Sequence, residues 1–178
     1  MYGGTKVSQW QADKRWSDKF LTQIKGILGV HLIGEPPLEE DAERNTDLMV
    51  LRMDAVRIGC RIRKHQYLGR YGAEFTIRAG RPSGVKTELT KIIEGWGDYF
   101  FYGFANDTET QLAYWTLADM RVFRRTYAKM LVQSQAGVVP GISKSNVDGS
   151  SNFAAFRWDQ FPPEFVVGQS RLGRSCAA

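Results

Sequence analysis

The clearest pattern in the chain lies at residues 56–64. There Val56, Ile58, Cys60 and Ile62 alternate with Arg57, Gly59, Arg61 and Arg63. A period of two predicts a strand with one apolar and one cationic face. Cys60 then reads as a small buried apolar residue. Upstream, residues 6–29 carry Trp10, Ser17, Phe20, Ile24 and Leu28 near one helical face, with Trp16, Leu21 and Ile27 broadening it. Gly29 is the expected stop and residues 30–33 a brief extended piece. Residues 45–53 read as a short strand and Asp54-Ala55 as a tight turn into the 56–64 strand.

Downstream, residues 67–72 form a glycine-containing connection and 73–78 a strand, with Phe75 and Ile77 against Glu74, Thr76 and Arg78. A helix over residues 86–94 has Ser83 or Thr87 as its cap and Leu89, Ile92 and Ile93 as its apolar positions. Residues 98–105 are a strongly aromatic strand, paired as a hairpin with 111–118. The aromatic side chains alternate, so half belong to the core and the outward half to the core or to base stacking. Asp119 is the expected N-cap of a helix to about Gln133. Residues 136–151 read as loop, 152–158 as a late strand and 165–167 as a last apolar piece. Residues 1–168 are expected as one domain and 169–178 as a flexible tail.

The chain has 178 residues, 43% hydrophobic and 24% charged, as in an ordinary globular domain. No apolar run reaches the roughly 20 residues that span a bilayer, and the N-terminus lacks the apolar core of a signal peptide. A cytoplasmic setting without a membrane partner is expected. Two cysteines and two histidines argue against a disulfide framework and against a cysteine or histidine metal centre. The net charge of +5 and pI of about 9.3 favour a polyanionic partner such as nucleic acid.

Position sharpens that reading. Arg57, Arg61 and Arg63 share one strand face and repel one another unless a carboxylate cluster or a phosphate backbone neutralises them. The helix after Asp119 carries Arg121, Arg124 and Arg125, a solvated face or a phosphate-contacting one. Asp13 and Asp18 are either solvated or at the edge of a site. The acidic run 39–43 is either loop or a cation-gathering element beside Asp47. Glu88 and Lys91, three apart on a helix, lie on one side of it. No GxxxxGK[ST] loop, no GxGxxG loop opening a helix after a strand and no GxSxG elbow is present.

The order helix, three strands, helix, strand, with Asp47 on the leading strand, resembles the PD-(D/E)XK nuclease superfamily. The stretch Asn45-Thr46-Asp47-Leu48-Met49-Val50 followed by Val56 to Arg63 looks like that family's hairpin. The resemblance covers roughly residues 7–105. It implies an α/β single domain with an αβββαβ restriction-endonuclease-like core, its mixed sheet flanked by helices. Asp47 matches the metal-binding aspartate. The Glu-x-Lys slot falls on Arg61-Ile62-Arg63, and an arginine at 61 cannot ligate Mg²⁺. Some family members place the second carboxylate on the following helix, where Glu88 stands.

The resemblance therefore implies one of two functions. The first is a Mg²⁺-dependent DNA endonuclease with Asp47 and Glu88 as metal ligands and with Arg63 and Lys91 stabilising the developing phosphorane charge. The second is a non-catalytic module on the same fold, which binds nucleic acid or protein. In that reading Arg57, Arg61, Arg121, Arg124 and Arg125 contact the nucleic acid, while Glu88 pairs with Lys91 and Arg61 with Asp47. A phage or mobile-element origin, viral protein partners, a homodimer, and a place in the bacterial host's cytoplasm or in the virion belong to the same implication.

Overall fold

The computed structural model describes residues 9–34, 49–50, 56–134, 138, 140–146, 149 and 151–170. Asp47, the acidic run 39–43 and the tail residues 171–178 lie outside the described residues. The architecture is mixed α/β.

Two helices replace the single one expected over residues 6–29. They are α1 (Gln9–Asp18) and α2 (Leu21–Leu32), and the chain turns at Lys19 and Phe20. Near this turn the Ser17 hydroxyl bonds back to the Lys14 carbonyl, and the Phe20 amide closes onto the Ser17 carbonyl at 3.1 Å. A side chain that competes for backbone acceptors weakens a helix at that point. Helix α2 runs through residues 30–32, where an extended piece was expected, and only then enters β1 (Ile33–Gly34).

Strand β1 pairs antiparallel with β2 (Met49–Val50). Strand β3 (Ile58–Arg63) pairs in parallel with β5 (Tyr99–Ala105). Among the described residues β2 and β3 thus lie in two separate ladders, while residues 45–48 and 51–55 of the expected hairpin lie outside them. Antiparallel pairing continues from β5 to β6 (Leu112–Asp119) and from β6 to β9 (Val166–Gln169). The result is a mixed four-stranded sheet in the order β3-β5-β6-β9.

A three-stranded antiparallel sheet, β4-β8-β7, comprises β4 (Glu74–Gly80), β8 (Asn152–Arg157) and β7 (Ile142–Ser145). Strand β7 lies in the stretch expected to be loop. The connection from β3 to β4 is helical, a 3-10 turn at His65–Tyr67 followed by α3 (Leu68–Tyr71). Helix α4 is Glu88–Ile93, with Thr87 as its cap, and α5 is Met120–Gln133. Strand β9 extends through Gln169, and the Ser170 hydroxyl accepts from the Trp115 amide, so both residues belong to the fold rather than to a tail. Among the described residues no helix is long and apolar enough to cross a membrane.

Two apolar cores hold these layers. The larger joins both sheets and α5 through Phe75, Phe100, Tyr102, Phe104, Phe123, Phe156 and Phe165. Phe75 is fully buried at its centre, with the rings of Phe156 and Trp158 at 5.5 and 4.4 Å. The smaller core packs Phe20 and Ile24 against Phe101, Ala105 and Leu117. Strand β5 is thus covered on both faces, so Phe101 stacks on Trp115 at 5.7 Å and is not available to a base. Gly103 on the same strand permits this closeness. A Cβ there would stand 3.0 Å from Ile62 and 3.1 Å from Leu112.

Asp119 links the mixed sheet to α5. Its Oδ1 accepts from the Arg121 amide at 2.7 Å and its Oδ2 from the Arg121 guanidinium at 2.7 Å. Burial pushes this carboxyl up, but the Arg121 bonds outweigh it and hold it below its ordinary value. A depressed carboxyl stabilises the fold above the unfolded-state pKa, and the contribution is lost as pH falls through the folded one. Asp119→Ala should therefore cost about 1 kcal/mol near neutral pH. In paired chemical melts over a pH series, that gap should close in acid below the ordinary carboxylate range.

Candidate functional site

The inward face of β3 sets the site. Its pairing with β5 puts Arg61 opposite Tyr102 and Arg63 opposite Phe104, on the face that carries the larger core. Strand β3 is the edge of its sheet among the described residues, so these arginines emerge at the core's border. Arg61 is only about one fifth exposed. A guanidinium so placed needs compensation, because it cannot shed its charge.

Glu88 supplies it. Its Oε2 lies 2.5 Å from Arg61 Nη2 and also accepts the Arg78 amide at 3.0 Å. One carboxylate oxygen thus ties β3, β4 and α4 together. Arg61 Nη1 donates to the Thr76 hydroxyl at 3.3 Å, which in turn shares a hydrogen bond with the Tyr102 hydroxyl. Arg63 Nη1 reaches the same Tyr102 hydroxyl at 3.5 Å. A row of buried hydroxyls anchors both guanidinium groups.

Around them opens a cleft of about 980 Å³. Strand β3 contributes Arg61 and Arg63, and Lys64 follows it. Tyr67 and Tyr71 come from the helical connection, Thr76 and Arg78 from β4, Lys144 from β7, Phe153 from β8, and Asp13, Lys14 and Trp16 from α1. The cations lie against rings. Arg63 sits 4.4 Å from the Tyr67 centroid, Lys144 4.6 Å from Tyr71 and Arg61 5.4 Å from Phe153.

Three cations in the cleft have acidic partners: Arg61 with Glu88, Lys144 with Glu74 at 2.5 Å and Lys14 with Asp18 at 2.8 Å. Among the described residues Arg63, Lys64 and Arg78 have no salt-bridge partner. Arg78 is held below its ordinary value first by burial, then by the charges of Arg81 and Arg61, against the opposing pull of Glu88 and Asp13. Its Nε is buried without a hydrogen-bond partner among the described residues.

The sequence-predicted residues divide accordingly. Arg61, Arg63 and Glu88 come together, but Glu88 takes Arg61 as its partner rather than Lys91. Lys91 is exposed on the rim of a second pocket that Glu88 also lines. Arg57 lies 5.8 Å from the Trp96 ring, and its amide donates to Asp98. Arg121 is locked on the Asp119 cap. Arg124 donates to the carbonyls of Gly97 at 3.1 Å and Ile92 at 3.5 Å, satisfying acceptors at and beyond the end of α4. Arg125 is exposed on α5. Asp13 lines the cleft, whereas Asp18 is taken by Lys14. Cys60 is exposed along the cleft instead of buried, because an edge strand leaves its outer positions uncovered.

Of the two expected metal ligands, only Glu88 lies among the described residues. Glu88 already carries the Arg61 guanidinium and the Arg78 amide on Oε2, and no group of three or more His, Cys, Asp or Glu able to hold a metal occurs among the described residues. Sequence reasoning missed Lys64, Tyr67, Tyr71, Arg78, Lys144 and Phe153. They come from separate segments that only the β4-β8-β7 sheet and the β3–β4 connection bring to one place. A hint lay in Tyr67 and Tyr71, spaced one helical turn apart.

The pairing of Arg61 with Glu88 has a measurable signature. Glu88→Ala strands a half-buried guanidinium beside Arg78 and should cost about 2 kcal/mol in chemical denaturation. The Arg61→Met, Glu88→Met double variant should recover much of that loss, with a coupling of about 1–3 kcal/mol in the double-mutant cycle. Additive effects would show that the two groups do not depend on each other.

Compared with protein-family models, with curated proteins and with solved structures, the chain matches none of them.

Proposed function

We propose that the chain binds nucleic acid, DNA in the first instance, along the cationic cleft and does not cut it. The observation that carries this reading is the convergence of Arg63, Lys64 and Arg78 in one cleft, without salt-bridge partners among the described residues, beside Tyr67 and Tyr71. A phosphate backbone neutralises such a cluster and releases its own condensed counterions, a gain that no single small anion matches. Guanidinium groups anchored by buried hydroxyls meet a phosphate in a fixed orientation. The rings in the same wall suit base or sugar contact.

The commitment of Glu88 to Arg61 supports the binding reading over the hydrolytic one. A Mg²⁺ site built on Asp47 and Glu88 would have to share that carboxylate with a guanidinium at 2.5 Å, like charge beside like charge. In this proposal the chain is a divergent, nuclease-derived member of the restriction-endonuclease-like class that keeps the scaffold and has lost the metal. The mixed sheet and its flanking helices agree with that class, whereas the separate β4-β8-β7 sheet is a departure from a single core sheet. A phage accessory role in a bacterial host rests on that resemblance alone.

The test is a salt series of fluorescence-anisotropy titrations with a labelled duplex and its single strand. Binding should weaken steeply with salt. The Arg63→Gln, Lys64→Gln variant should lower the log–log slope by about 2, one for each lost phosphate contact. An unchanged slope would remove the cleft from the interface. Strands incubated with Mg²⁺ should remain intact, and metal-dependent cutting abolished by Asp47→Ala would restore the nuclease reading.

A further inference from the structure

A second pocket, of about 360 Å³, shares Arg61 and Arg78 with the cleft and is walled by Glu88, Lys91 and Ile92 of α4. Its size is that of a site for one small ligand. Phe100, Ile92 and Met120, all buried, give it an apolar floor. Gly59 on the inward face of β3 adds no side chain over that floor. A Cβ there would stand 3.3 Å from the Phe100 ring.

The charges around this pocket are unevenly compensated. Arg61 is paired with Glu88 and Lys86 with Glu94 at 2.6 Å. Arg81 and Lys91 have no salt-bridge partner among the described residues. Arg78, which lines both cavities, keeps a buried Nε without an acceptor among the described residues. Burial first, and then the charges of Arg81 and Arg61, hold Arg78 below its ordinary value, and an anion beside these guanidinium groups would relieve the crowding.

Two features say more than anion. Trp96 stands on the rim, 60% exposed, a large planar surface with Arg57 5.8 Å from its ring. Glu88 also lines the pocket. Its hydrogen bonds to Arg61 and to the Arg78 amide both fall on Oε2, which leaves Oε1 as an open acceptor among the described residues. A phosphate-sized anion, a planar ring and a hydroxyl donor together describe one ligand chemistry. We propose that this pocket binds a nucleoside phosphate, its phosphate held by Arg81 and Lys91, its base laid against Trp96 and its sugar hydroxyl turned to Glu88.

This goes beyond polymer binding in the cleft and does not depend on it. The nucleoside phosphate is either a free nucleotide or the terminal unit of a strand. The experiment is calorimetric titration of the whole chain with adenosine 5′-monophosphate, adenosine and inorganic phosphate. The nucleotide should bind, and each fragment alone should bind at least about tenfold more weakly. Arg81→Gln with Lys91→Gln should weaken the nucleotide by about tenfold, as should Trp96→Leu. All three side chains are exposed, so thermal melts of these variants should match the parent.

Arg63→Gln with Lys64→Gln should leave nucleotide affinity unchanged, which separates this pocket from the cleft. An oligonucleotide with a terminal phosphate that competes with the nucleotide identifies a strand end as the source. Failure to compete identifies the free nucleotide. Absence of nucleotide binding, equal binding of inorganic phosphate, or indifference to the Arg81, Lys91 and Trp96 variants would overturn the proposal.

Discussion

A guanidinium cannot give up its charge, and that constraint shapes this protein. Arg61 stands on the inward face of an edge strand, where the apolar core ends and solvent is scarce. Its charge has to be met locally, and Glu88 meets it across 27 residues of sequence at 2.5 Å. The same carboxylate oxygen takes the Arg78 amide, so one group fixes the positions of β3, β4 and α4. Both cavities share Arg61 as a wall. The pair is less a source of net stability than of geometry, since half-buried ion pairs return much of their Coulomb gain to desolvation.

The aromatic core decides where function can lie. Phe75 is buried amid rings from both sheets and α5, and β5 is covered on both faces. No side chain of that strand's centre is left for a ligand. What remains is the border, where β3 has no further neighbour among the described residues and the helical turn at residues 65–71 brings Tyr67 and Tyr71 alongside. Cations at this border rest on rings, which carry their stems while the charged ends face the cleft.

Local signals were legible in the sequence. The alternation at residues 56–64 gave β3 and its cationic face, and Asp119 with the periodicity after it gave α5 and its cap. The hairpin of β5 and β6 followed from two aromatic runs and the turn between them. Pairing over long range was not legible. Strand β3 has the same alternation whether it pairs with the preceding strand or in parallel with β5, because the period of two fixes faces and not neighbours. The four residues of β7 sit in a glycine- and serine-rich stretch that pairs only because β8 offers it an edge. The acceptor of Arg61 was equally hidden. From sequence Glu88 had Lys91 one helical turn away, and only the fold shows that an arginine from another strand lies closer.

Counting basic residues overstates a binding surface, and this chain shows why. Its surplus of +5 is spread over many cations, several of which are already engaged. Arg121 is spent on a helix cap, Arg124 on carbonyls at the end of α4, and Lys14 and Lys144 on acidic neighbours. An engaged cation offers a phosphate little, because binding it must first break the bond it has. What attracts a polyanion is the unmatched remainder and its concentration in space. Among the described residues part of that remainder is concentrated at Arg63, Lys64 and Arg78 on one side and at Arg81 and Lys91 on the other, with the Arg61–Glu88 pair in common. On the basic helix, expected to be either solvated or phosphate-contacting, Arg121 and Arg124 are spent on holding the fold. The edge strand contributes both kinds, Arg61 spent on Glu88 and Arg63 with no salt bridge among the described residues, so the same strand fixes the fold and opens it to an anion.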